Sequence, residues 1–591
     1  MLRRQFAPKM SSEEGGRADA SRRSTDPLKM VSAVVIAVAL LAGVGLRVAR
    51  LDKMPPALAQ DEACNGYDAY SIFVTGRDHH GNFMPIVMQG FNDYRMPLFQ
   101  YSLVPLVGAF GLKLAVVRLG AVIWGIVDLV AITIAARLML GWPGAAAAAL
   151  FGALMPWHLE FSRYGIEGTA ASATISVAMA SFFLWLDRRR DLWLTLSCIS
   201  FGLSLYTYAI TKALLPLLIG LLAILYWREL RKSRVKALIA VVMVFALALP
   251  QATMLIRHTA EMQAEYHHLS LFSLHAICPG CDSEHAKLAS NSIPYLLAAN
   301  FASSFTPSFL FLRGDLGDHW TMLHPPGFGE LLPEQAALVV LALIAICGPR
   351  RRRVAILILG WLVLAALPAA LIMPLGVSSP EPGKVPTPHV LFNYELPPAP
   401  VTPSLLLSHP DSRHDVLAMA PWILLSALGF VVLLDLTSGT PALQVGVVGL
   451  LLAGLIFHSA RFVRSYFEDF PTLAAPYFQY GIKEVIGTID QRYSSDLPVV
   501  ITPRINQAYI YVLFFERYPP AAYQRGPVLQ QPGLFSRVSR FDRYWFVPPS
   551  WAYLMFEHGV FVFRGGDETP KPPDVSIRYP DGTVAYQIVV K

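Results

Sequence analysis

Charged side chains that could carry out chemistry are concentrated in residues 51–97. Asp61 and Glu62 lie side by side near the start of this stretch, and Asp93 and Arg95 lie near its end. The stretch follows the first apolar segment and is too charged to enter lipid, yet it is too rich in glycine and aromatic residues for a solvated tail. A positioned carboxylate can act as a general base. The pattern predicts an active-site loop at a membrane surface, with its chemistry at Asp61.

The composition is that of a membrane protein. Of the 591 residues, 54% are hydrophobic and 15% are charged, whereas soluble domains carry about 25% charged residues. The net charge of +7 is compatible with nucleic-acid binding, but the lysines and arginines form short runs between apolar segments. Because such runs mark the cytoplasmic side of membrane proteins, we attribute the charge to topology and predict no nucleic-acid partner.

Residues 31–459 contain the candidate membrane spans, each of which needs about 20 apolar residues. The apolar segments are 31–49, 97–112, 116–137, 142–157, 169–186, 192–210, 213–227, 235–256, 334–347, 354–374, 415–434 and 442–459. An N-terminus inside and a C-terminus outside require an odd number of crossings. We therefore expect roughly eleven to thirteen transmembrane helices, and the weakly apolar segment 142–157 is the first candidate for a re-entrant segment.

Basic clusters assign the sides of the membrane. The N-terminal tail, 188–190, 228–236 and 350–353 are predicted to be cytoplasmic. Outer loops are then expected at 50–96, 257–333 and 375–414. Residues 1–30 are predicted to form a disordered cytoplasmic tail before a retained first helix.

The pattern changes after residue 460 to alternating apolar and polar residues broken by proline and glycine, which is typical of strands. The predicted strands include 497–502, 508–515, 544–547 and 584–590. Residues 460–591 are therefore predicted to form a small α/β domain outside the membrane, after a mainly α transmembrane domain.

The motifs of the first outer loop resemble those of class C glycosyltransferases. The resemblance is carried by Gln60-Asp61-Glu62, Tyr67-Asp68-Ala69-Tyr70, Thr75-Gly76-Arg77-Asp78 and Asp93-Tyr94-Arg95-Met96-Pro97. Further matches along nearly the whole chain include Arg118-Leu119, Phe161-Ser162-Arg163, Gly314-Asp315, Arg413 and Tyr477-Phe478-Gln479-Tyr480-Gly481. The branch is that of protein O-mannosyltransferases and lipid A aminoarabinose transferases, similar to glycosyltransferase family 39 in bacteria.

This resemblance implies the GT-C fold and a reaction. Such enzymes transfer a sugar from a polyprenyl-phosphate donor to an acceptor with inversion at the anomeric carbon, and no cofactor or obligatory metal is expected. It implies that Asp61 takes the proton of the acceptor hydroxyl, while Glu62 orients Asp61 or binds sugar hydroxyls. Asp93 is the second acidic residue, and Arg95 is expected to meet the lipid phosphate with its planar fork.

Simpler structural roles remain open for the same residues. Asp61 could cap a helix or join a salt bridge within the loop. Asp93 and Arg95 could form a local ion pair before the next helix.

Three further groups in outer loops could complete the site as substrate-binding residues. Arg163 and Glu167 lie four apart and would share one face of a helix. Arg413 and His414 precede the next span, where a cation can meet a phosphate headgroup. The third group consists of Arg313, Asp315 and His319. The alternative for these residues is a charge that only positions a helix end.

Cys278 and Cys281 form a Cys-x-x-Cys pair near several histidines, which is compatible with zinc although the spacing is not that of a standard finger. Because the segment is predicted to face an oxidising space, a disulfide is favoured over free thiols or zinc. No other metal site is predicted.

The expected protein is thus a glycosyltransferase of a bacterial inner membrane, with its active site and C-terminal domain on the extracytoplasmic side. Its expected partners are a polyprenyl-phosphate-linked sugar, the bilayer, and a lipid, glycan or protein acceptor. A transporter or flippase of lipid-linked sugars is the alternative, but such a protein should carry charges near the middle of its spans. Few such charges occur here, among them Asp128, Lys212 and Asp435.

Overall fold

The computed structural model describes residues 27–91, 93–257, 293–315, 323–372, 411–531 and 537–591, and it is mainly helical. Up to residue 257 the elements are α1 (Pro27–Val48), α2 (Gln60–Thr75), β1 (Met88–Gln89), β2 (Tyr94–Arg95), α3 (Leu98–Phe110), α4 (Leu114–Leu154), α5 (Pro156–Phe161), α6 (Gly168–Arg188), α7 (Asp191–Ser204), α8 (Thr211–Leu225), α9 (Trp227–Lys232) and α10 (Arg234–Arg257). They continue with α11 (Ile293–Ser303), a π-helical turn (Ser308–Arg313), α12 (Pro333–Ile344), α13 (Arg352–Ala370), α14 (Met419–Thr437) and α15 (Pro441–Arg464). The predicted mainly α fold is confirmed.

Within the described ranges, seven helices are long and apolar enough to cross a membrane. They are α1, α4, α6, α10, α13, α14 and α15, and the shorter apolar helices α3, α7, α8 and α12 lie between them in the chain. All twelve predicted apolar segments fall on these helices. Two of the segments, 116–137 and 142–157, lie in the long helix α4. The chain is therefore a multi-pass membrane protein, as predicted.

Helix α4 is a hairpin rather than one straight rod. Its 41 residues would extend about 60 Å, twice the thickness of a bilayer core. Gly141 interrupts it with φ 86° and ψ −169°, and Pro143 follows. Leu129 packs against Ala149 in one buried cluster, so the two halves lie side by side. Most of the predicted segment 142–157, up to Leu154, is therefore the second arm of this hairpin.

The first outer loop is an ordered unit around α2. Asp61 and Glu62 lie in the first turn of α2, where carboxylates interact favourably with free backbone N–H groups. Oε2 of Glu62 accepts a hydrogen bond from the backbone N of Ala59 at 3.1 Å. Gly76 ends the helix with φ 70°, a conformation that favours glycine. Strand β2, which pairs with β1, then brings Arg95 back toward the start of α2.

The C-terminal part contains a seven-stranded mixed sheet in the order β4-β5-β6-β3-β7-β9-β8. Its strands are β3 (Val499–Ile501), β4 (Val528–Gln531), β5 (Arg537–Phe541), β6 (Tyr544–Trp545), β7 (Val560–Arg564), β8 (Val575–Arg578) and β9 (Val584–Val590). The accompanying helices are α16 (Phe470–Ala474), α17 (Ile482–Arg492), α18 (Ala508–Phe515), α19 (Pro520–Tyr523) and α20 (Pro549–Met555). The strands predicted at 497–502, 544–547 and 584–590 are confirmed by β3, β6 and β9.

The strand predicted at 508–515 is wrong, because these residues form helix α18. The segment is an unbroken run of apolar and aromatic residues rather than an alternation, and its residues from Ala508 to Phe514 are buried. A run buried on all sides carries no periodicity that separates a strand from a helix. Its aromatic content alone favoured a strand.

The C-terminal sheet and the first outer loop share one hydrophobic core. Tyr67 and Phe91 of the loop belong to the same buried cluster as Ile510 and Val512 of α18. The hydroxyl of Tyr67 donates a hydrogen bond of 2.7 Å to the backbone O of Tyr518. The C-terminal part thereby holds α2, which carries Asp61, in place.

Replacing Gly429 with alanine should destabilise the helix bundle. A Cβ at this position of α14 would lie 1.8 Å from the backbone O of Leu338 in α12, so the two helices must separate. Overpacking of this kind costs about 1–3 kcal/mol or more. The melting temperature of the purified protein in detergent measures the loss.

Gly446→Ala in α15 is the matched control, because nothing lies within 4 Å of the added Cβ. It should leave the melting temperature unchanged or raise it, since alanine favours helices over glycine. Equal melting temperatures for the two variants would contradict the close contact between α12 and α14.

Candidate active site

Arg95 links the two acidic motifs of the first outer loop. Its Nη2 donates to Oδ1 of Asp61 at 2.8 Å, and its Nε donates to Oδ2 of Asp93 at 2.8 Å. The side chain of Arg95 is 11% exposed and that of Asp61 is 29% exposed. In the described part of the chain, Nη1 of Arg95 and Oδ2 of Asp61 have no hydrogen-bond partner. A cation with unused donors thus lies beside a carboxylate with an unused acceptor.

The backbone around β2 is built for this contact. Oδ1 of Asp93 accepts a hydrogen bond from the backbone N of Phe91, and the guanidinium of Arg95 lies over the Phe91 ring at 4.9 Å. A Cβ at Gly90 would lie 2.5 Å from Oδ1 of Asp93 and 2.8 Å from Nε of Arg95. Only glycine leaves room for this ion pair, so the local sequence fixes the orientation of Arg95.

Glu62 points away from the solvent and anchors the loop. It is fully buried, and its Oε1 accepts hydrogen bonds from Nε of Arg118 at 2.8 Å and from the backbone N of Gly165 at 3.0 Å. Its Oε2 accepts from Nη2 of Arg118 at 2.9 Å and from the backbone N of Ala59. The expectation that Glu62 binds sugar hydroxyls does not fit a carboxylate whose two oxygens are occupied and enclosed. Its contacts support a positioning role for Asp61, the residue before it.

Arg163 and Glu167 do not share a helical face, and that expectation is wrong. The residues between α5 and α6 form turns, and Glu167 lies directly before α6. Arg163 is buried and donates to the backbone O atoms of four residues, Leu46, Arg47, Ala49 and Met54. The last carbonyl groups of a helix lack helical partners, and Arg163 satisfies those at the end of α1. Arg163 is therefore a structural residue and not a phosphate ligand.

Glu167, by contrast, lies within electrostatic reach of the first-loop charges. Burial raises the pKa of Glu167, the cation of Arg95 opposes this increase, and the carboxylates of Asp61 and Asp93 add to it. Burial likewise raises the pKa of Tyr164, with Asp61 adding to the increase. Glu167 and Tyr164 are thus within electrostatic range of Asp61, and Glu167 also of Arg95.

Arg413 is the second cation near this group. Its Nε donates to Oδ1 of Asp411 at 3.0 Å, and its Nη2 donates to Oδ2 at 2.6 Å. Nε2 of His414 lies 3.6 Å from the same carboxylate. Burial raises the pKa of Asp411, but Arg413 and His414 outweigh it and hold the pKa well below its usual range. Burial raises the pKa of Tyr208, with Glu167 and Asp411 adding and Arg413 opposing, so Tyr208 lies close to both groups.

The remaining predicted residues divide into three cases. Oδ2 of Asp315 accepts hydrogen bonds from the N and Oγ of Ser412, so Asp315 holds the segment before Arg413. Arg313 is exposed at the end of the π-helical turn. His319, Cys278 and Cys281 lie outside the described residues.

Arg118 is the residue of this region whose role sequence reasoning missed. It lies in the apolar helix α4 and is fully buried, and besides Glu62 it donates to the backbone O atoms of Pro55 and Ala57 at 2.8 Å and 2.5 Å. A charged residue within an apolar helix must be paired, because an isolated charge in such a place is costly. An arginine within an apolar segment was therefore the signal in the sequence that could have identified the role of Arg118.

Replacing Glu62 with glutamine should lower the free energy of unfolding by about 3–5 kcal/mol, because it leaves the buried guanidinium of Arg118 without its counter-charge. Thermal unfolding of the purified protein in detergent measures this effect. Asp61→Asn should change the melting temperature far less, since Asp61 is partly exposed.

Glu468→Gln serves as the control, because it removes an exposed ion pair with Arg464. We expect it to cost about 0–1 kcal/mol. If Glu62→Gln unfolds at the same temperature as this control, Glu62 does not anchor the loop.

Among the comparisons with known proteins, one solved structure supports the fold. No family model matches the sequence, and no curated protein does. The structure is similar to that of ArnT from Cupriavidus metallidurans bound to undecaprenyl phosphate, with a TM-score of 0.53 and 13% identity over 95% of this chain and 98% of that chain. An Archaeoglobus fulgidus oligosaccharyltransferase tethered with an acceptor peptide gives a TM-score of 0.49 and 12% identity over 83% of this chain and 63% of that chain, which is too weak to support an argument.

ArnT is a lipid A aminoarabinose transferase of the GT-C class. At 13% identity its similarity to this chain concerns the fold and covers nearly the full length of both proteins. The chain therefore has the GT-C fold, as its motifs predicted.

Proposed function

We propose that the protein is an inverting glycosyltransferase that uses a polyprenyl-phosphate sugar and works at the extracytoplasmic face of a bacterial inner membrane. The observation that carries this proposal is the contact of Arg95 with both Asp61 and Asp93 at the start of α2. It sets a partly exposed carboxylate and an oriented guanidinium next to each other. Proton acceptance and phosphate binding are the two tasks that the reaction requires.

The reaction is a single displacement. The acceptor hydroxyl oxygen forms a bond to the anomeric carbon while the bond from that carbon to the phosphate oxygen breaks. The hydroxyl proton passes to Oδ2 of Asp61, and the leaving group departs as polyprenyl phosphate with one additional negative charge. General bases of this kind contribute about 10²–10⁴-fold to a rate.

Arg95 and Arg413 stabilise the departing phosphate. Nη1 of Arg95 keeps its two N–H donors for a ligand, since Nε and Nη2 hold the carboxylates of Asp93 and Asp61. A guanidinium that is already oriented loses little entropy when it binds a phosphate. Glu167 lies within electrostatic range of this cation and is proposed to bind the sugar or its acceptor.

The fold supports this assignment of the donor. The similar ArnT structure is of a protein bound to undecaprenyl phosphate. The seven long apolar helices of the described ranges provide surfaces for a prenyl chain beside the first outer loop. The proposed acceptor is a lipid, glycan or protein on the same side of the membrane.

Asp61→Asn should abolish sugar transfer and leave the protein folded. The purified protein is incubated with undecaprenyl phosphate carrying labelled mannose, aminoarabinose or galactosamine, together with envelope extract as acceptor. We expect release of undecaprenyl phosphate by the wild type and a decrease of about 10²–10⁴-fold in the variant.

Arg77→Gln is the matched control in the same loop, because the guanidinium of Arg77 donates to the backbone O of Gly81 and lies over the Phe83 ring, away from the contacts of Asp61 and Arg95. It should retain the wild-type rate. Full activity of Asp61→Asn would exclude Asp61 as the base. Translocation of the lipid-linked sugar without release of undecaprenyl phosphate would instead identify a flippase.

Arg95→Lys and Arg413→Lys should weaken donor binding. Lysine keeps the charge but loses the planar fork that binds two phosphate oxygens. We expect the KM for the donor to rise about tenfold or more, corresponding to about 1.4 kcal/mol, whereas the KM for the acceptor stays the same. A change in the acceptor KM alone would contradict the phosphate assignment.

A further inference from the structure

A second cluster of ionisable side chains lies outside the candidate active site. It consists of Glu160 in α5 and of His324 and Glu330 in the segment before α12, and all three are buried, with 4%, 2% and 0% exposure. One ligand atom from each residue can be chosen so that all three atoms lie within 4.8 Å of one another. These residues have no role in the reaction described above and lie outside the candidate spans.

The distances suit a metal ion. Nδ1 of His324 lies 3.0 Å from Oε2 of Glu160 and 4.0 Å from Oε1 of Glu330. Two ligands of a tetrahedral ion with bonds of about 2.0–2.1 Å lie about 3.3 Å apart. The observed separations lie on either side of this value, so small side-chain rotations would complete the geometry.

The contact of Nε2 with a backbone carbonyl leaves Nδ1 of His324 facing the carboxylates. Nε2 lies 3.0 Å from the backbone O of Phe328, and a carbonyl oxygen only accepts, so Nε2 carries a hydrogen. In the neutral imidazole, Nδ1 then presents a lone pair to two carboxylates. Metal-binding histidines typically donate their other ring N–H to a carbonyl or carboxylate in this way.

Two carboxylate oxygens of the cluster lack partners. Oε1 of Glu160 and Oε2 of Glu330 are buried and accept no hydrogen bond from the part of the chain that the structure describes. Buried polar atoms are normally satisfied, and exceptions require an explanation. A cation bound beside these two oxygens would supply the missing interaction.

Backbone and side chains pack closely around the cluster. A Cβ at Gly314 would lie 2.4 Å from Cδ2 of His324, and the ring of Phe462 stacks on the imidazole at 6.3 Å. The backbone N of Asp315 donates to Oε1 of Glu330 at 2.9 Å, and the backbone N of Glu330 donates to the O of Phe309. Three segments that are distant in sequence therefore meet at this cluster.

We propose that Glu160, His324 and Glu330 bind a zinc ion whose fourth tetrahedral position is taken by water. One imidazole with two carboxylates is a ligand set that suits zinc, and the two carboxylates balance its charge. Each carboxylate has one oxygen near Nδ1 of His324, Oε2 of Glu160 and Oε1 of Glu330. The other oxygen of each, Oε1 of Glu160 and Oε2 of Glu330, has no hydrogen-bond partner in the described part of the chain.

Another buried group, which consists of Cys64, Asp68 and His79, does not have unpaired atoms available for a metal ion. Both oxygens of Asp68 are occupied, by the thiol of Cys64 and by Nδ1 and the backbone N of His79. Nε2 of His79 lies 3.4 Å from the hydroxyl of Tyr509. Because these polar atoms already satisfy one another, the group is a closed hydrogen-bond network.

The zinc ion would stiffen the segment that carries Arg413. Trp157, in the same short helix as Glu160, donates from Nε1 to the backbone O of Ser412 at 3.2 Å, and Asp315 accepts hydrogen bonds from Ser412. Loss of the metal should therefore loosen Arg413 and weaken donor binding. This last consequence depends on the proposed function, whereas metal content does not.

Elemental analysis of the full-length protein purified in detergent tests the proposal. We expect about one zinc per chain in the wild type, either as purified or after incubation with zinc chloride and desalting, and at least a tenfold decrease in His324→Ala and Glu330→Gln. Glu334→Gln is the matched control, because Glu334 also pairs with a histidine, His458, at 2.5 Å but belongs to no cluster of three among the residues that the structure describes. Together with a Cys278→Ser/Cys281→Ser double variant, it should retain the zinc.

If a ligand variant fails to fold, X-ray absorption spectroscopy of zinc in the wild type still tests the proposal. We expect nitrogen and oxygen ligands at about 2.0–2.2 Å and no sulfur. A wild type that neither contains nor takes up zinc overturns the proposal. A sulfur shell, or zinc retained by the folded His324→Ala and Glu330→Gln variants, overturns it as well. None of these results depends on sugar transfer.

Discussion

The buried ion pair of Glu62 and Arg118 is the contact on which the candidate active site depends. It joins the first turn of α2 to the apolar helix α4, and Glu62 also receives the backbone N–H of Gly165. Neither side chain is exposed, so each charge requires the other, since a buried charge without a partner is strongly unfavourable. The residue before Glu62 is Asp61, whose position relative to the membrane helices follows from this pair.

The proposed site residues come from segments that are far apart in the sequence. Asp61 and Arg95 belong to the first outer loop, Glu167 directly precedes α6, and Arg413 lies before α14. Arg95 contacts Asp61 and Asp93, and Arg413 contacts Asp411. The C-terminal part shares a hydrophobic core with α2. The site is thus preorganised by several independent contacts.

Sequence reasoning predicted the helices and the first-loop residues because apolar segments and charged loops leave local patterns. For Asp93 and Arg95 the sequence left two roles open, a local ion pair and an active-site group. The structure is compatible with both roles, because the guanidinium of Arg95 contacts Asp93 and also Asp61. Arg163 was misassigned because its partners are backbone carbonyls at the end of α1, which no side-chain pattern reveals. Glu160, His324 and Glu330 were missed for a similar reason, because only the fold brings α5 next to the segment before α12.

A structure of the protein with undecaprenyl phosphate, determined by electron cryomicroscopy in a lipid nanodisc, tests the central claim most directly. That claim is that Asp61 and Arg95 form the two halves of one site for a phosphate leaving group. The account predicts phosphate oxygens within hydrogen-bond distance, about 2.7–3.2 Å, of Nη1 of Arg95 and of the guanidinium of Arg413. It also predicts that Oδ2 of Asp61 faces the phosphate across a space that fits one sugar. A phosphate bound elsewhere, with the contact between Arg95 and Asp61 unchanged, would contradict it.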